Sequence, residues 1–386
     1  VQRYLDCGLY ENGFARVRCP DCRAEYLLAF SCKTRELCPS CAARRAAATA
    51  ALLREEVLEE VGHSQWVFVM PKMLRLYFLH HRELLGGLAR AAWETVLELM
   101  VAATGEDGLR PGMVAVVQTA GDLANWHPHV HALVSRGGWT RGWKWVPVGY
   151  VDEHAAELLY RHKVMRLLQV EGLLTEERTE LLLSWRHTGF SVHNRVRVEP
   201  EDQPAVERLA RYIMRPPISL ERMRWDGGGE VRYQRKVGHE GTGLLNREVE
   251  AFDPAEFLAR VIMHIPEPRR HLVRYYGWYS NVSRGKRRRR WGIAGDGPAD
   301  VEAAGPSRAD RDRTPDARAL RRSWAQLIKR IYEVDPLVCP SCGGEMKVIA
   351  FIIDPAVVDK ILRYLRRTDN GRGRDPPQEA GLSAVS

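Results

Sequence analysis

Eight cysteines set the tightest limit on what this 386-residue chain can fold into. Six fall in the first 41 residues, and the clearest pairs, Cys19–Cys22, Cys38–Cys41 and Cys339–Cys342, are spaced Cys-x-x-Cys. Disulfide frameworks run through short secreted chains, whereas paired thiols in a long chain point to metal in a reducing compartment. Cys19, Cys22, Cys38 and Cys41 could close one tetrahedral zinc site from two tight turns, each stiffened by a proline, Pro20 or Pro39. Disulfides are the other reading of these thiols. A segment this short has too little core to fold unaided, so the role expected of the ion is structural. Cys7 and Cys32 are either buried free thiols or ligands of a second or altered site. Cys339 and Cys342 make half a site at most. They need ligands from another chain or from the N-terminal unit, or they are a vestigial knuckle.

The net charge of +9 favours polyanionic partners. Part of the excess is concentrated at Arg284, Lys286, Arg287, Arg288, Arg289 and Arg290. Such a block is either a nucleic-acid contact or a solvated linker. No apolar run of about 18 residues occurs, so no membrane-spanning helix is expected.

Periodicity gives a coarse map. A helical stretch from Ala42 to about Val61 leads to a strand over Gln65–Met70, ended by Pro71. Residues 73–104 read as two helices broken near Gly86-Gly87. Met113–Thr119 reads as a buried strand, turned by Gly121-Asp122 into a partner strand over His129–Val134 that Gly137-Gly138 closes. Further helix is expected over 153–185 and a strand over Gly189–Glu199. Pro204 then opens a helix that Pro216-Pro217 stops. This irregular alternation indicates an α+β fold rather than a strict βαβ array.

Within the partner strand, His127, His129 and His131 alternate, so all three imidazoles can share one face. They either bind a metal or line an exposed sheet face. Two imidazoles and one oxygen ligand can hold a divalent ion with open positions, which can polarise a phosphate. Gln118, at the end of the preceding strand, either supplies that oxygen or caps a turn. On the helix opened by Pro204, Val206, Leu209, Ala210 and Ile213 form an apolar stripe with Tyr212 at its edge. Tyr212 is either amphipathic packing or a phenolate nucleophile for phosphorus. Arg208, Arg211 and Arg215 lie beside it and suit a DNA backbone. Tyr233, Tyr275, Tyr276 and Tyr279 are rivals that read better as core or stacking residues.

Several stretches together resemble the insertion sequence 91 family of rolling-circle transposases, within the HUH endonucleases. They are Gly-Phe-Ala-Arg-Val-Arg-Cys (13–19), Phe-Ser-Cys-Lys-Thr-Arg-Glu-Leu-Cys-Pro-Ser-Cys (30–41) and Val-Val-Gln-Thr-Ala-Gly-Asp-Leu (116–123). His-Pro-His-Val-His-Ala-Leu-Val (127–134) and Leu-Ala-Arg-Tyr-Ile-Met-Arg-Pro-Pro-Ile-Ser (209–219) belong with them. So do Phe-Leu-Ala-Arg (257–260) and His-Leu-Val-Arg-Tyr-Tyr-Gly (271–277). The resemblance implies that His129 and His131 are the metal motif, that Gln118 falls at the third ligand, and that His127 is a neighbour. Tyr212 falls in the nucleophile helix. Two-tyrosine members carry a second tyrosine four residues earlier, where this chain has Arg208, so a single-tyrosine mechanism is implied.

The implied organisation is a zinc-ribbon-like unit (1–45), an HUH-type antiparallel sheet with flanking helices (46–240) and a mixed extension of it (241–282). A basic flexible linker (283–318), a small C-terminal unit with Cys-x-x-Cys (319–367) and a disordered tail (368–386) follow. The implied function is nicking and rejoining of single-stranded DNA at element ends and targets through a 5′-phosphotyrosine. Structural Zn²⁺ and catalytic Mg²⁺ or Mn²⁺ would assist, in the bacterial cytoplasm at the nucleoid. A replication initiator of the HUH type, or a non-catalytic zinc-bearing DNA-binding protein, is the alternative.

Overall fold

The computed structural model describes residues 2–185, 188–225, 227–235, 249–290, 339 and 341–368. The chain divides into two compact units, one from 1–48 with 298–386, the other from 49–297. The strands are β1 (Phe14–Arg18), β2 (Glu25–Ala29), β3 (His63–Val69), β4 (Arg110–Ala120), β5 (Trp126–Trp139), β6 (Trp145–Pro147), β7 (Ser191–Val198), β8 (Met223–Trp225), β9 (Val231–Gln234), β10 (Val249–Phe252), β11 (Val273–Gly277) and β12 (Lys347–Ile352). The helices are α1 (Gln2–Leu5), α2 (Pro39–Leu52), α3 (Arg75–His80), α4 (Leu85–Thr104), α5 (Glu153–Val170), α6 (Glu176–Leu183), α7 (Gln203–Ile213), α8 (Pro254–Ile262), α9 (Asn281–Arg290) and α10 (Pro355–Thr368). The fold is α+β with antiparallel sheets, as expected. Among the described residues no helix is long and apolar enough to cross a membrane.

In the larger unit the central sheet runs β11-β4-β5-β3-β7, with β6 added to the far end of β5. Alternation along its strands sorts two cores. Met113, Ala115 and Val117 of β4 and Val130, Ala132 and Val134 of β5 pack with Leu88 and Val96 of α4 and Tyr160 and Val164 of α5. Val114 and Val116, with Leu133, face the other way onto Val206, Leu209, Ala210 and Ile213 of α7. That second layer also takes Trp278 and Tyr279. A small sheet, β10-β9-β8, packs Tyr233 and Phe252 against Phe257 of α8.

Three local expectations are corrected. Gly86 and Gly87 do not break a helix but sit in the first turn of α4, and the interruption falls at His81. The glycines serve close approach: a Cβ on Gly87 would meet Leu167 of α5 at 2.6 Å, and one on Gly86 the Arg274 guanidinium at 2.7 Å. Strand β5 does not close at Gly137-Gly138 but runs on to Trp139, because β6 pairs there. Residues 283–290, expected to begin a flexible linker, continue helix α9. The rest of the expected linker lies outside the described residues, as does the tail from 369. The expected extension over 241–282 supplies β11, an edge strand of the central sheet, through its pairing with β4.

The smaller unit corrects the cysteine grouping. Cys19, Cys22, Cys38 and Cys41 do not share one cluster; the eight thiols form two sets of four. Cys38 and Cys41, at the start of α2, meet Cys7 and Cys32, with sulfur separations of 3.6 Å (Cys7–Cys38), 3.8 Å (Cys7–Cys41) and 3.5 Å (Cys32–Cys41). Cys19 and Cys22 meet Cys339 and Cys342. The physical reason is strand pairing. β1 is the middle strand of a sheet ordered β12-β1-β2, so the C-terminal segment is part of the N-terminal unit and not a separate one.

A disulfide would hold two sulfurs about 2.05 Å apart, so these are not disulfides. Four thiolates about 2.3 Å from one zinc ion sit roughly 3.8 Å from one another, which the first cluster matches closely. Backbone N–H groups of Cys32 and Thr34 donate to the sulfurs of Cys7 and Cys32. Burial raises the Cys32 thiol, but hydrogen bonds from Thr34 and the neighbouring cysteines outweigh it and bring it down to about 7.

Candidate active site on the central sheet

Register brings the chemistry together. Gln118 on β4 is the cross-strand partner of His129 on β5, and Val116 is the partner of His131. His129 and His131 therefore point to the same face as Val114, Val116 and Leu133, the face that α7 covers. Both are nearly buried, at 9% and 6% exposure. Their Nε2 atoms stand 3.1 Å apart. That separation suits one imidazole donating to the other, and equally two nitrogens about 2.1 Å from one ion at close to a right angle.

The partners of the other ring nitrogens orient the pair. His129 Nδ1 lies 2.6 Å from the His127 carbonyl oxygen. A carbonyl can only accept, so Nδ1 carries the proton and Nε2 is left with its lone pair. His131 Nδ1 faces the buried Gln65 side-chain amide of β3 at 3.3 Å. The atom it meets is the Gln65 amide nitrogen, which donates, so His131 Nδ1 accepts and its Nε2 carries the proton that points to His129 Nε2. His127 packs its ring against that of His129 at 5.0 Å and offers its backbone carbonyl to it, a neighbour's role.

Helix α7 is placed by its ends as well as by its stripe. The Asp202 side chain accepts from the Ala205 backbone N–H, and Pro204 occupies the first turn. At the other end the Gln118 side-chain amide donates to the Ile213 carbonyl at 2.9 Å. That bond leaves the Gln118 amide oxygen as its ligand-capable atom. It also ties β4 to the residue after Tyr212. The Tyr212 ring stands edge-on to His131 with centroids 5.6 Å apart, and it is 39% exposed. The Arg215 guanidinium lies over the ring at 5.0 Å. Arg208 and Arg211 are exposed on the helix, Arg211 paired with Glu207.

The rival tyrosines are occupied otherwise. Tyr233 and Tyr279 are fully buried, and Tyr279 bonds His63 at 2.7 Å. Tyr276 stacks on Trp93, and Tyr275 packs under Arg284.

Two families match the chain. One, described as "Transposase zinc-binding domain", covers residues 1–70. The other, described as "Putative transposase", covers residues 112–287, which hold both histidines, Gln118 and Tyr212. The chain belongs to the insertion sequence 91 (IS91) family of transposases. It is 26% identical over 372 residues to "Transposase for insertion sequence element IS801" of Pseudomonas savastanoi pv. phaseolicola, across 91% of this chain and 83% of that one. It is 24% identical over 358 residues to "Putative transposase y4qJ" of Sinorhizobium fredii, across 87% and 84%. No solved structure matches the chain.

For this transposase the first cysteine cluster, wholly inside the zinc-binding match, fits a structural zinc ion. The basic run is a partial correction. Arg287 is 5% exposed, lies over the Trp278 ring and pairs with Glu59 at 3.2 Å. Arg288 pairs with Glu56, Arg284 covers Tyr275 and Arg290 covers Trp143. Helical spacing turns one side of the run onto aromatic and acidic groups, and Arg287 is withdrawn from any DNA contact. Lys286 and Arg289 are on the exposed side.

Proposed function

We propose that this transposase nicks and rejoins single-stranded DNA at element ends through a 5′-phosphotyrosine on Tyr212. What carries the reading is one observation: a partly exposed phenol stands edge-on to a histidine pair whose Nε2 atoms converge to 3.1 Å. His129 and His131, with the Gln118 amide oxygen, would hold Mg²⁺ or Mn²⁺. When bound, that ion supplies Lewis-acid polarisation of the scissile phosphate.

The chain's own groups do the rest. Tyr212 Oη attacks phosphorus; the bond from phenol oxygen to phosphorus forms as the bond to the 3′ oxygen breaks. The phenol's proton passes to solvent, and the departing 3′ oxygen takes one up. The phosphotyrosine keeps the energy of the phosphodiester, so a 3′-hydroxyl at the target can reverse the step and rejoin the strand. Arg215 beside the phenol, with exposed Arg208 and Arg211, suits the phosphates flanking the cleaved one. Arg208 stands where a second tyrosine would be, so one covalent link forms at a time. The place of action is the bacterial nucleoid.

The test incubates the full chain with single-stranded DNA carrying an element end and Mg²⁺, then resolves denatured products. A denaturation-resistant adduct is expected from the native chain, none from Tyr212→Phe, and at least about 10³-fold less from His129→Ala. An adduct from Tyr212→Phe at the native level would overturn the assignment.

A further inference from the structure

Half of the second cysteine cluster lies outside the residues that the family matches cover. The zinc-binding match ends at residue 70 and the transposase match at residue 287, yet two of this cluster's four thiols are Cys339 and Cys342. Sulfur separations are 3.6 Å for Cys19–Cys342 and 3.4 Å for Cys22–Cys339, and all four sulfurs lie within 4.8 Å of one another. That spread belongs to a tetrahedral thiolate site rather than to disulfides.

A second observation is independent of the sulfurs. The two Cys-x-x-Cys turns have the same backbone wiring. In one, Cys19 N–H donates to the Ala24 carbonyl and Arg23 N–H to the Cys19 carbonyl. In the other, Cys339 N–H donates to the Gly344 carbonyl and Gly343 N–H to the Cys339 carbonyl. The offsets are identical, five and four residues. The residue four after the first cysteine has positive φ in both, Arg23 at 63° and Gly343 at 74°. An arginine in the left-handed region is disfavoured, so the surrounding structure holds this turn in place. The turns also approach closely, since a Cβ on Gly344 would come within 2.4 Å of the Asp21 carboxylate.

The sheet delivers both turns to one end. Arg18, just before Cys19, pairs with Lys347 of β12 on one side and Glu25 of β2 on the other. Val17, Cys19, Cys339 and Met346 share a small apolar cluster behind the sulfurs. Among the described residues the apolar groups that join the two segments are this cluster and one around Phe14 and Val358, so few that a cross-link would strengthen the join substantially.

We propose that Cys19, Cys22, Cys339 and Cys342 bind a second structural zinc ion, forming a ribbon whose two knuckles come from opposite ends of the chain. This zinc clasps the C-terminal segment onto the N-terminal sheet. The claim is independent of the phosphotyrosine reading.

The test measures zinc per chain in the purified, reduced full-length protein by native mass spectrometry. Two ions are expected for the native chain, and one for the double variant Cys339→Ser, Cys342→Ser. One ion in the native chain, or two in the double variant, would overturn the proposal. Should the variant fail to fold, alkylation of the native chain decides instead. Cys339 and Cys342 should resist N-ethylmaleimide with zinc bound and react after chelation. Reaction at the chelated rate with zinc bound would overturn it.

Discussion

The two histidines of the central sheet are two residues apart on one strand, and Gln118 joins them across a single hairpin. In the cysteine-bearing unit, Cys19 and Cys22 meet thiols 323 and 317 residues away. The first site rests on a sheet cored on both faces, so its geometry precedes any ion. Among its described residues the second unit has small clusters around Val17 and Phe14, so bound zinc would supply much of its folding energy. On the proposed reading, one unit positions a metal and the other is positioned by its ions.

The largest effect should come from removing zinc. Each structural ion contributes on the order of 10 kcal/mol of folding free energy. Chelation under reducing conditions should therefore unfold the cysteine-bearing unit while the central sheet keeps its melting transition, as hydrogen exchange resolved by segment can follow. Joint loss of protection in both units would erase the contrast.

The reverse perturbation is Arg287→Ala. It removes a buried guanidinium from the Trp278 ring and from half-buried Glu59, and should destabilise the central unit by about 1–2 kcal/mol, with zinc content unchanged. Lys286→Ala, one position away but exposed, should leave stability alone and lower the salt dependence of DNA binding by roughly 0.7–0.9 of a log unit per log unit of salt.

Acid provides a third probe. Burial lowers the His63 and His264 imidazoles to about 4. Unfolded histidine titrates near 6.5, so the unfolded chain takes up the extra protons. Stability of the central unit should be intact above about pH 6.5 and fall toward pH 4, by roughly 3 kcal/mol per histidine. Thermal melts across that range, with His63→Gln showing a shallower slope, check this.

The smallest effect concerns Gln65. Gln65→Leu removes the amide that faces His131 Nδ1 and should weaken Mn²⁺ binding about 10- to 100-fold while both units stay folded. Unchanged affinity by calorimetry would leave Gln65 a packing residue.

What the sequence made legible was local. A period of two placed the histidines on one face, and a period of 3.6 with bounding prolines placed α7 and its tyrosine. The pairing of β12 with β1 was not legible, because Cys-x-x-Cys defines a knuckle and not its partner. Nor was the fate of the basic run, since charge density does not say which arginines a helix turns onto Trp278 or Glu59. Gly86 and Gly87 read as a break for the same reason: their cause is contact with Leu167 and Arg274, which lie far along the chain. Gln65 was missed because a lone glutamine in a strand has no signal until its neighbour across the sheet is known.

The nucleophile decides the mechanism. Peptide mapping of the protein–DNA adduct by mass spectrometry tests it most directly. A nucleotide phosphate is expected on the peptide containing Tyr212; the phosphate on Tyr275, Tyr276 or any other residue would overturn the assignment.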